Sequence, residues 1–322
     1  MSYLSGPSIS SVFDSASLCL ITGTIVLSVL SLSFVVHLRF KSRHSRHLQS
    51  FNSLWTVRLL LVSFVILWAF NTLLRLPFFR QNYLQRFLPV MSIKQQSTFC
   101  KIHVVLSLGF LEPGFLVILL FLVNVSIKKR TPRWSWVLVF ISATCIPILA
   151  LQVLAVFFPR LQSHLPAVFR RDSVIFENGF EQTVLCAYPL MSCIIFGAFG
   201  AWYTVVFSVS CFKVVTLAIN KGLRVRIYRL AFAVIVMLPM EIVFLIISVW
   251  WRPEEKLDRA LVFLSFLCTT VITAVGQGIL VIKPINDSLA AGETSLADDD
   301  DQEEHSHRRP GSMDDHYVHC ET

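Results

Sequence analysis

Charged residues are scarce in this chain. Of its 322 residues, 15% are Asp, Glu, Lys or Arg and 55% are hydrophobic, whereas charged residues make up about 25% of an ordinary soluble domain. The mean hydropathy of +0.66 agrees with that balance. The composition excludes an ordinary soluble globular protein and favours a polytopic α-helical membrane protein.

The sequence also lacks the motifs of common enzyme classes. It contains no Gly-rich phosphate-binding loop, no His-Glu-x-x-His zinc motif and no Gly-x-Ser-x-Gly nucleophile turn. We therefore expect no enzymatic activity, no bound metal and no cofactor. The basic residues flank apolar runs, which suits an anionic lipid surface better than nucleic acid, so the expected partner is the lipid bilayer.

Long apolar runs are what the sequence does contain. A helix of about 20 apolar residues crosses a hydrocarbon layer about 30 Å thick. The connections between the runs are too short for a second folded domain. We predict an all-α bundle of seven transmembrane helices within residues 16–285, preceded by a short N-terminal segment, residues 1–15. The predicted spans are 16–38, 54–76, 102–127, 136–158, 184–212, 230–250 and 260–282.

The basic residues around the first span predict the orientation of the bundle. No Lys or Arg precedes that span, whereas Arg39, Lys41, Arg43 and Arg46 follow it. Because basic residues remain on the cytosolic side, we place the N-terminus outside and the C-terminus in the cytosol of a multi-pass protein of the plasma membrane or an endomembrane. The connections after spans three and five are basic too. We expect a cytosolic signalling protein to contact Lys128, Lys129, Arg130, Arg224 and Arg226.

The C-terminal region, residues 286–322, is rich in Asp and Glu and nearly free of aliphatic residues. This composition predicts a disordered cytosolic tail. Ser295 and Ser312 each precede an aspartate by three positions, the pattern that acidophilic kinases recognise, so both are candidate phosphorylation sites. The alternative is a tail that only solubilises the protein.

Two carboxylates within the apolar runs are the most informative chemical feature. Glu112 of span three and Glu241 of span six each lie about eleven residues, or about 16 Å, from one end of the span. Each is next to a proline that interrupts backbone hydrogen bonding, Pro113 or Pro239. Span seven adds a stripe of polar residues at helical spacing, Thr270, Thr273 and Gln277.

We interpret these five polar residues as a cavity between spans three, six and seven. Such a cavity would suit a cationic or hydrogen-bonding ligand, or proton movement, because an unpaired carboxylate in lipid costs several kcal/mol. In the alternative interpretation each glutamate is protonated and cross-links neighbouring helices. The threonines could likewise bond only their own helix backbone.

Three of the eight cysteines lie near the predicted outer face, where disulfides form, namely Cys19, Cys100 and Cys186. Cys100 opens span three and Cys186 opens span five. A disulfide between them would hold the intervening loop over the mouth of the bundle. Two free thiols are the alternative.

Seven spans, an outer N-terminus and this cysteine pair resemble a G-protein-coupled receptor. The segments Phe51–Arg58 and Cys100–Val105 resemble those of poorly characterised plant seven-transmembrane proteins, some of which are discussed as candidate receptors. The resemblance implies a receptor-like protein that senses a small-molecule ligand and signals to cytosolic partners. A proton-coupled small-solute transporter and a membrane scaffold that recruits cytosolic proteins are the alternatives.

Overall fold

The computed structural model describes residues 9–41, 54–76, 92–125, 134–158, 166–170, 173–178, 181–218, 221–253 and 255–287. This part of the chain is nearly all helical and contains seven helices that are long enough and apolar enough to cross a membrane. That result confirms the predicted seven-helix architecture. The helices are α1 Ile9–Lys41, α2 Trp55–Arg75, α3 Ile93–Val125, α4 Trp134–Phe157, α5 Leu190–Leu217, α6 Lys221–Ser248 and α7 Lys256–Asp287.

A β-hairpin lies between α4 and α5, after a helical turn at Ala167–Arg170. Strands β1 Ser173–Asn178 and β2 Glu181–Cys186 pair antiparallel, with Ser173 opposite Cys186. The prediction that span five begins at residue 184 is therefore wrong. Val184, at the predicted start, is in β2, and α5 begins only after Pro189, which has no backbone N–H to donate.

Helices α1 and α6 begin well before their predicted spans. Helix α1 begins at Ile9, within the predicted N-terminal segment, and α6 begins at Lys221, nine residues before its predicted start. Arg224 and Arg226 thus lie on a helix and not in a loop. Polar residues extend the helices beyond their apolar stretches, since water tolerates a helix as readily as a loop. The tail beyond residue 287 lies outside the described residues.

Helix α3 is the central element of the bundle. In its most apolar window 83% of the residues are buried, against 28% for α1 and α4. It contacts α2, α4 and α5, while α1 joins α2 to α7 and α6 packs between α5 and α7. Within the buried part of α3, the polar side chains of His103, Ser107 and Glu112 therefore face other helices and not the surroundings.

Two glycines allow α3 to approach its neighbours closely. A Cβ added at Gly114 would collide with the ring of Phe64 in α2. A Cβ at Gly276 of α7 would come within 2.7 Å of Leu119 Cδ1 in α3. Small residues at such crossings are typical of helices that pack within a membrane.

The two ends of the bundle differ in character. At one end, Cys100 near the start of α3 forms a disulfide with Cys186 of β2, and we call this the disulfide end. At the other, Arg39 of α1 lies 4.5 Å from the ring centre of Trp55 in α2, and Arg226 of α6 pairs with the end of α7. We call this the basic end.

Candidate functional site

A cavity of about 120 Å³ opens at the disulfide end. Its walls come from α1, α2, α3, α6 and α7, and the segment from Leu185 to Tyr188 contributes to its rim. One ordered water needs only about 10–15 Å³ of such space. The cavity is therefore large enough for several waters or a small organic molecule.

A π-helical turn in α3 positions the first acid of the cavity. The turn covers Ser107–Leu111, and the backbone N–H of Glu112 donates to the carbonyl of Ser107, five residues earlier. Pro113 follows directly, and a proline ring disrupts regular α-helical bonding to the preceding turn. The wider turn lets the Ser107 hydroxyl donate to Glu112 Oε1 at 2.8 Å. Such turns are frequent at functional sites.

The Glu112 carboxyl has one well-paired oxygen and one open oxygen. Trp68 Nε1 of α2 also donates to Oε1, at 3.0 Å. Oε2 is buried and receives no hydrogen bond from the residues that the structure describes. Glu112 as a whole is 5% exposed. An acceptor left open in this way favours a further donor within the cavity.

Glu241 of α6 is the closest candidate for that donor. Glu241 lines the same cavity, and its carboxyl lies close to the Glu112 carboxyl and to Thr269 of α7. Glu241 is 2% exposed, so both acids are shielded from bulk solvent. Two neighbouring ionised carboxylates repel each other, and one proton between them would remove the repulsion and form a hydrogen bond. The arrangement is that of a carboxyl pair able to share one proton.

The mouth of the cavity carries charges of both signs. Arg75 Nη1 donates to the Tyr188 hydroxyl at 2.7 Å, and Nη2 donates to the Cys186 carbonyl at 3.4 Å. The same guanidinium lies 4.4 Å from the centre of the Tyr188 ring. Burial raises the pKa of the Tyr188 phenol to about 12. Asp14, Asp258 and Arg259 complete the charged rim.

Comparison with known protein families identifies the family of this chain. Residues 7–298 match the model of the family described as Uncharacterised conserved protein UCP031277. The chain belongs to this family. The sequence matches no curated protein. The family description names no activity, so the chemistry of this UCP031277 member is argued from its site.

The structure brings together two of the five residues predicted for the cavity. Glu112 and Glu241 both line it, although they come from different helices. The other three predicted residues, Thr270, Thr273 and Gln277, do not line it. Thr270 and Thr273 instead donate to carbonyls of their own helix, those of Phe266 and Thr270, at 2.9 and 2.8 Å.

Gln277 connects α7 to α1. Its Nε2 donates to Ser28 Oγ at 3.0 Å, and Ser31 Oγ donates to its Oε1 at 3.1 Å. Gln277 is 1% exposed and both serines are fully buried. We call these three residues the α1–α7 clamp. Assigning Gln277 to the cavity was thus incorrect, because its amide is occupied by the neighbouring helix.

The sequence did not predict which residues of this UCP031277 member surround Glu112 and Glu241. On α7 the polar residues Ser265 and Thr269, which are spaced i, i+4, line the cavity, and Thr269 lies one position before the predicted stripe. That spacing could have indicated them. The roles of Trp68 and Ser107 had no comparable signal, because they depend on which helices are neighbours.

Of the remaining candidate residues that the structure describes, the disulfide cysteines lie beside the cavity, and Arg224 and Arg226 lie away from it. Cys100 and Cys186 are bonded, and Cys186 lines the mouth. Arg226 forms an ion pair with Asp287 at 2.7 Å at the basic end, and Arg224 is exposed nearby. Five of the predicted residues lie outside the described residues: Lys128, Lys129, Arg130, Ser295 and Ser312.

Proposed function

We propose that this protein is a receptor-like integral membrane protein that binds a small ligand in the cavity and signals to cytosolic partners from its basic end. In this proposal the N-terminus and the disulfide end face outward, and the C-terminus is cytosolic. The sequence resemblance to seven-transmembrane proteins of receptor type supports the proposal, as do seven helices of sufficient length.

The observation that carries the proposal is the meeting of Glu112 and Glu241 in one cavity that opens at the disulfide end. Burying two carboxyls costs free energy, and an open acceptor such as Glu112 Oε2 adds to the cost. A ligand that donates to this oxygen would recover part of that free energy. The acids are thus better explained by binding than by helix packing alone.

Helix α6 offers a route from the cavity to the basic end. Pro239 interrupts backbone bonding within the helix two residues before Glu241. Toward the basic end the same helix carries Arg226, whose ion pair with Asp287 joins α6 to α7. A ligand that moves Glu241 would tilt the part of α6 between Pro239 and the basic end. The tilt would strain the ion pair of Arg226 with Asp287. This is a common geometry for helix-based switching.

The packing beneath the acids favours a receptor over a transporter. The lining of the cavity ends at the level of Glu112 and Glu241. Beyond them Leu116, Leu119 and Tyr203 are buried, and the Tyr203 hydroxyl donates to the Leu116 carbonyl at 2.8 Å. A solute would have to displace this layer to pass through.

Proton-coupled transport is the second candidate, because a proton-sharing carboxyl pair is what a proton-driven carrier requires. The two candidates differ in a measurable way. A transporter would accumulate solute in proteoliposomes under a pH gradient, and Glu112→Gln or Glu241→Gln would abolish the accumulation. A receptor would show no such uptake.

A distance measurement across the bundle tests the receptor proposal. Spin labels at Phe40→Cys of α1 and Val225→Cys of α6 would report on the basic end, because both positions are exposed. Cys19, which is exposed, and Cys320 are replaced by Ser so that they carry no label. We expect at least one class among small amines, alcohols and carboxylates to shift the distance between the labels in lipid nanodiscs.

The matched control carries Glu112→Gln and Glu241→Gln together, and it should lose the shift. Glu255→Gln removes an exposed carboxylate that does not line the cavity, and it should keep the shift. If no compound class changes the distance in the unmodified site, the receptor proposal fails.

A further inference from the structure

The chemistry of the cavity points to one class of ligand. We propose that the cavity binds an organic ammonium ion with an apolar or aromatic body, and that binding displaces the proton shared by Glu112 and Glu241. This inference rests on the proposed function, in that the cavity must be a ligand site.

Charge balance within the cavity supports a cationic ligand. At the mouth two acids, Asp14 and Asp258, are matched by two bases, Arg75 and Arg259. At the floor the hydrogen bonds that Glu112 accepts from described residues come from the neutral donors Trp68 and Ser107, while the Arg75 guanidinium is bonded to Tyr188 and to the Cys186 carbonyl at the mouth. The floor therefore holds one net negative charge when the pair carries one proton and two when it carries none. An ammonium group is the complement that this floor lacks.

Aromatic side chains support an ammonium ion with an apolar body over a bare metal ion or a polyamine. Trp68 and Phe266 stack with their ring centres 5.2 Å apart, and both line the cavity. Phe13 and Phe263 form a second pair with centres 5.9 Å apart. Such rings attract ammonium groups through their π-faces and also bury apolar carbon. A bare metal ion or a polyamine has no apolar or aromatic body to bury against these rings.

Displacement of the proton follows from the geometry of the acidic pair. Glu112 Oε1 already accepts from Trp68 and Ser107, so the shared proton joins Glu112 Oε2 to the Glu241 carboxyl. An ammonium group between the carboxylates supplies both the positive charge and the N–H donors that the shared proton supplied. The proton then leaves to solvent. One proton is released for each ammonium ion that binds, so the net charge of the pair together with its bound cation does not change.

Other titratable groups near the pair do not replace it as the source of that proton. The charged rim consists of Asp14, Arg75, Asp258 and Arg259. Closer to the pair lie a phenol and two thiols, which are uncharged at neutral pH, namely Tyr188, Cys193 and Cys268. His103 is bonded through Nδ1 to the Asn71 carbonyl at 3.0 Å and does not line the cavity.

Calorimetry with three probes of matched shape tests the inference. The probes are phenethylamine, phenethyl alcohol and phenylpropionate, titrated into the purified full chain in lipid nanodiscs. We expect the amine to bind at least about tenfold more tightly than either of the others, since hydrogen bonds to charged groups are the stronger ones. Its affinity should rise about tenfold per pH unit between about pH 6 and 8. Titrations in buffers of different ionisation enthalpy should report one proton released.

The variants provide a matched comparison. The double replacement Glu112→Gln and Glu241→Gln should remove both the preference for the amine and the proton release, whereas Glu255→Gln should change neither. The proton count on the unmodified protein tests the inference even if the double variant does not fold. Equal or tighter binding of the alcohol or carboxylate would overturn the inference, as would amine binding without proton release or no binding of any probe.

These outcomes are separable from the distance measurement across the bundle. Amine binding with proton release but no movement at the basic end would uphold this inference and contradict the receptor proposal. Movement caused by an alcohol or a carboxylate, without amine binding, would uphold the receptor proposal and contradict this inference.

Discussion

Replacing Gln277 by Met tests whether the α1–α7 clamp stabilises the bundle. Methionine preserves the length and approximate volume of the side chain and removes both polar groups. Gln277 Nε2 would no longer donate to Ser28, and Gln277 Oε1 would no longer accept from Ser31. The site is buried and lies outside the cavity. We therefore expect a change in stability without a change in ligand binding.

The structure sets the size of the effect. Hydrogen bonds between helices within a membrane contribute about 0.6 kcal/mol each on average and at most about 1.7 kcal/mol. The Ser31 hydroxyl also donates to the Leu27 carbonyl at 2.9 Å, so its bond to Gln277 is shared and weaker. Ser28 can turn toward its own helix, as neighbouring hydroxyls do. Gln277→Met should thus lower the free energy of unfolding by about 1 kcal/mol.

Equilibrium unfolding of the purified protein by a denaturing detergent in bicelles measures this change. Thr270→Val is the matched control, because Thr270 lies on the same helix and donates only to the Phe266 carbonyl of that helix. Thr270→Val should lower the free energy of unfolding by less than about 0.5 kcal/mol. A double-mutant cycle of Gln277→Met with Ser28→Ala should show coupling. Additive effects, or a Gln277→Met variant as stable as Thr270→Val, would refute the clamp.

Three further predictions address other contacts. Gly114→Ala should destabilise the bundle by about 1–3 kcal/mol, because the new methyl group overlaps the Phe64 ring; thermal unfolding measures the loss. Alkylation of the denatured protein should find two fewer thiols before reduction than after, and Cys100→Ser should leave Cys186 alkylated without reduction. Because the pKa of Tyr188 is raised to about 12, the stability that its neutral phenol provides should be complete below about pH 10 and be lost toward pH 12. Tyr188→Phe should remove this loss from the pH profile of thermal unfolding.

The architecture could be predicted from sequence because apolar runs of about 20 residues have few alternatives to a helix. The hairpin could not be predicted from sequence. Val184 lies in an apolar segment that leads into α5, and hydropathy does not separate a short strand from the start of a helix. What ends the helix there is Pro189 together with pairing to Ser173–Asn178, and pairing is a tertiary property.

The acids were predicted for a sound physical reason: a carboxyl such as Glu112 or Glu241 within an apolar run must face protein or water. The polar stripe of α7 was assigned to the wrong face because one residue turns a helix by about 100°. Thr270 and Thr269 are adjacent in sequence, yet only Thr269 lines the cavity. Hydropathy alone does not fix that rotation.

The π-helical turn of Ser107–Leu111 holds one residue more than a regular α-helical turn, so the helix on either side of it keeps its rotation about the axis. Deleting one residue there would restore α-helical winding and leave Cys100 beside Cys186, but it would remove the wider turn in which the Ser107 hydroxyl reaches Glu112 Oε1. The same deletion in a regular turn of α3 would rotate one part of the helix by about 100° against the other. A one-residue deletion should therefore be less damaging within this turn than in the regular turns on either side of it.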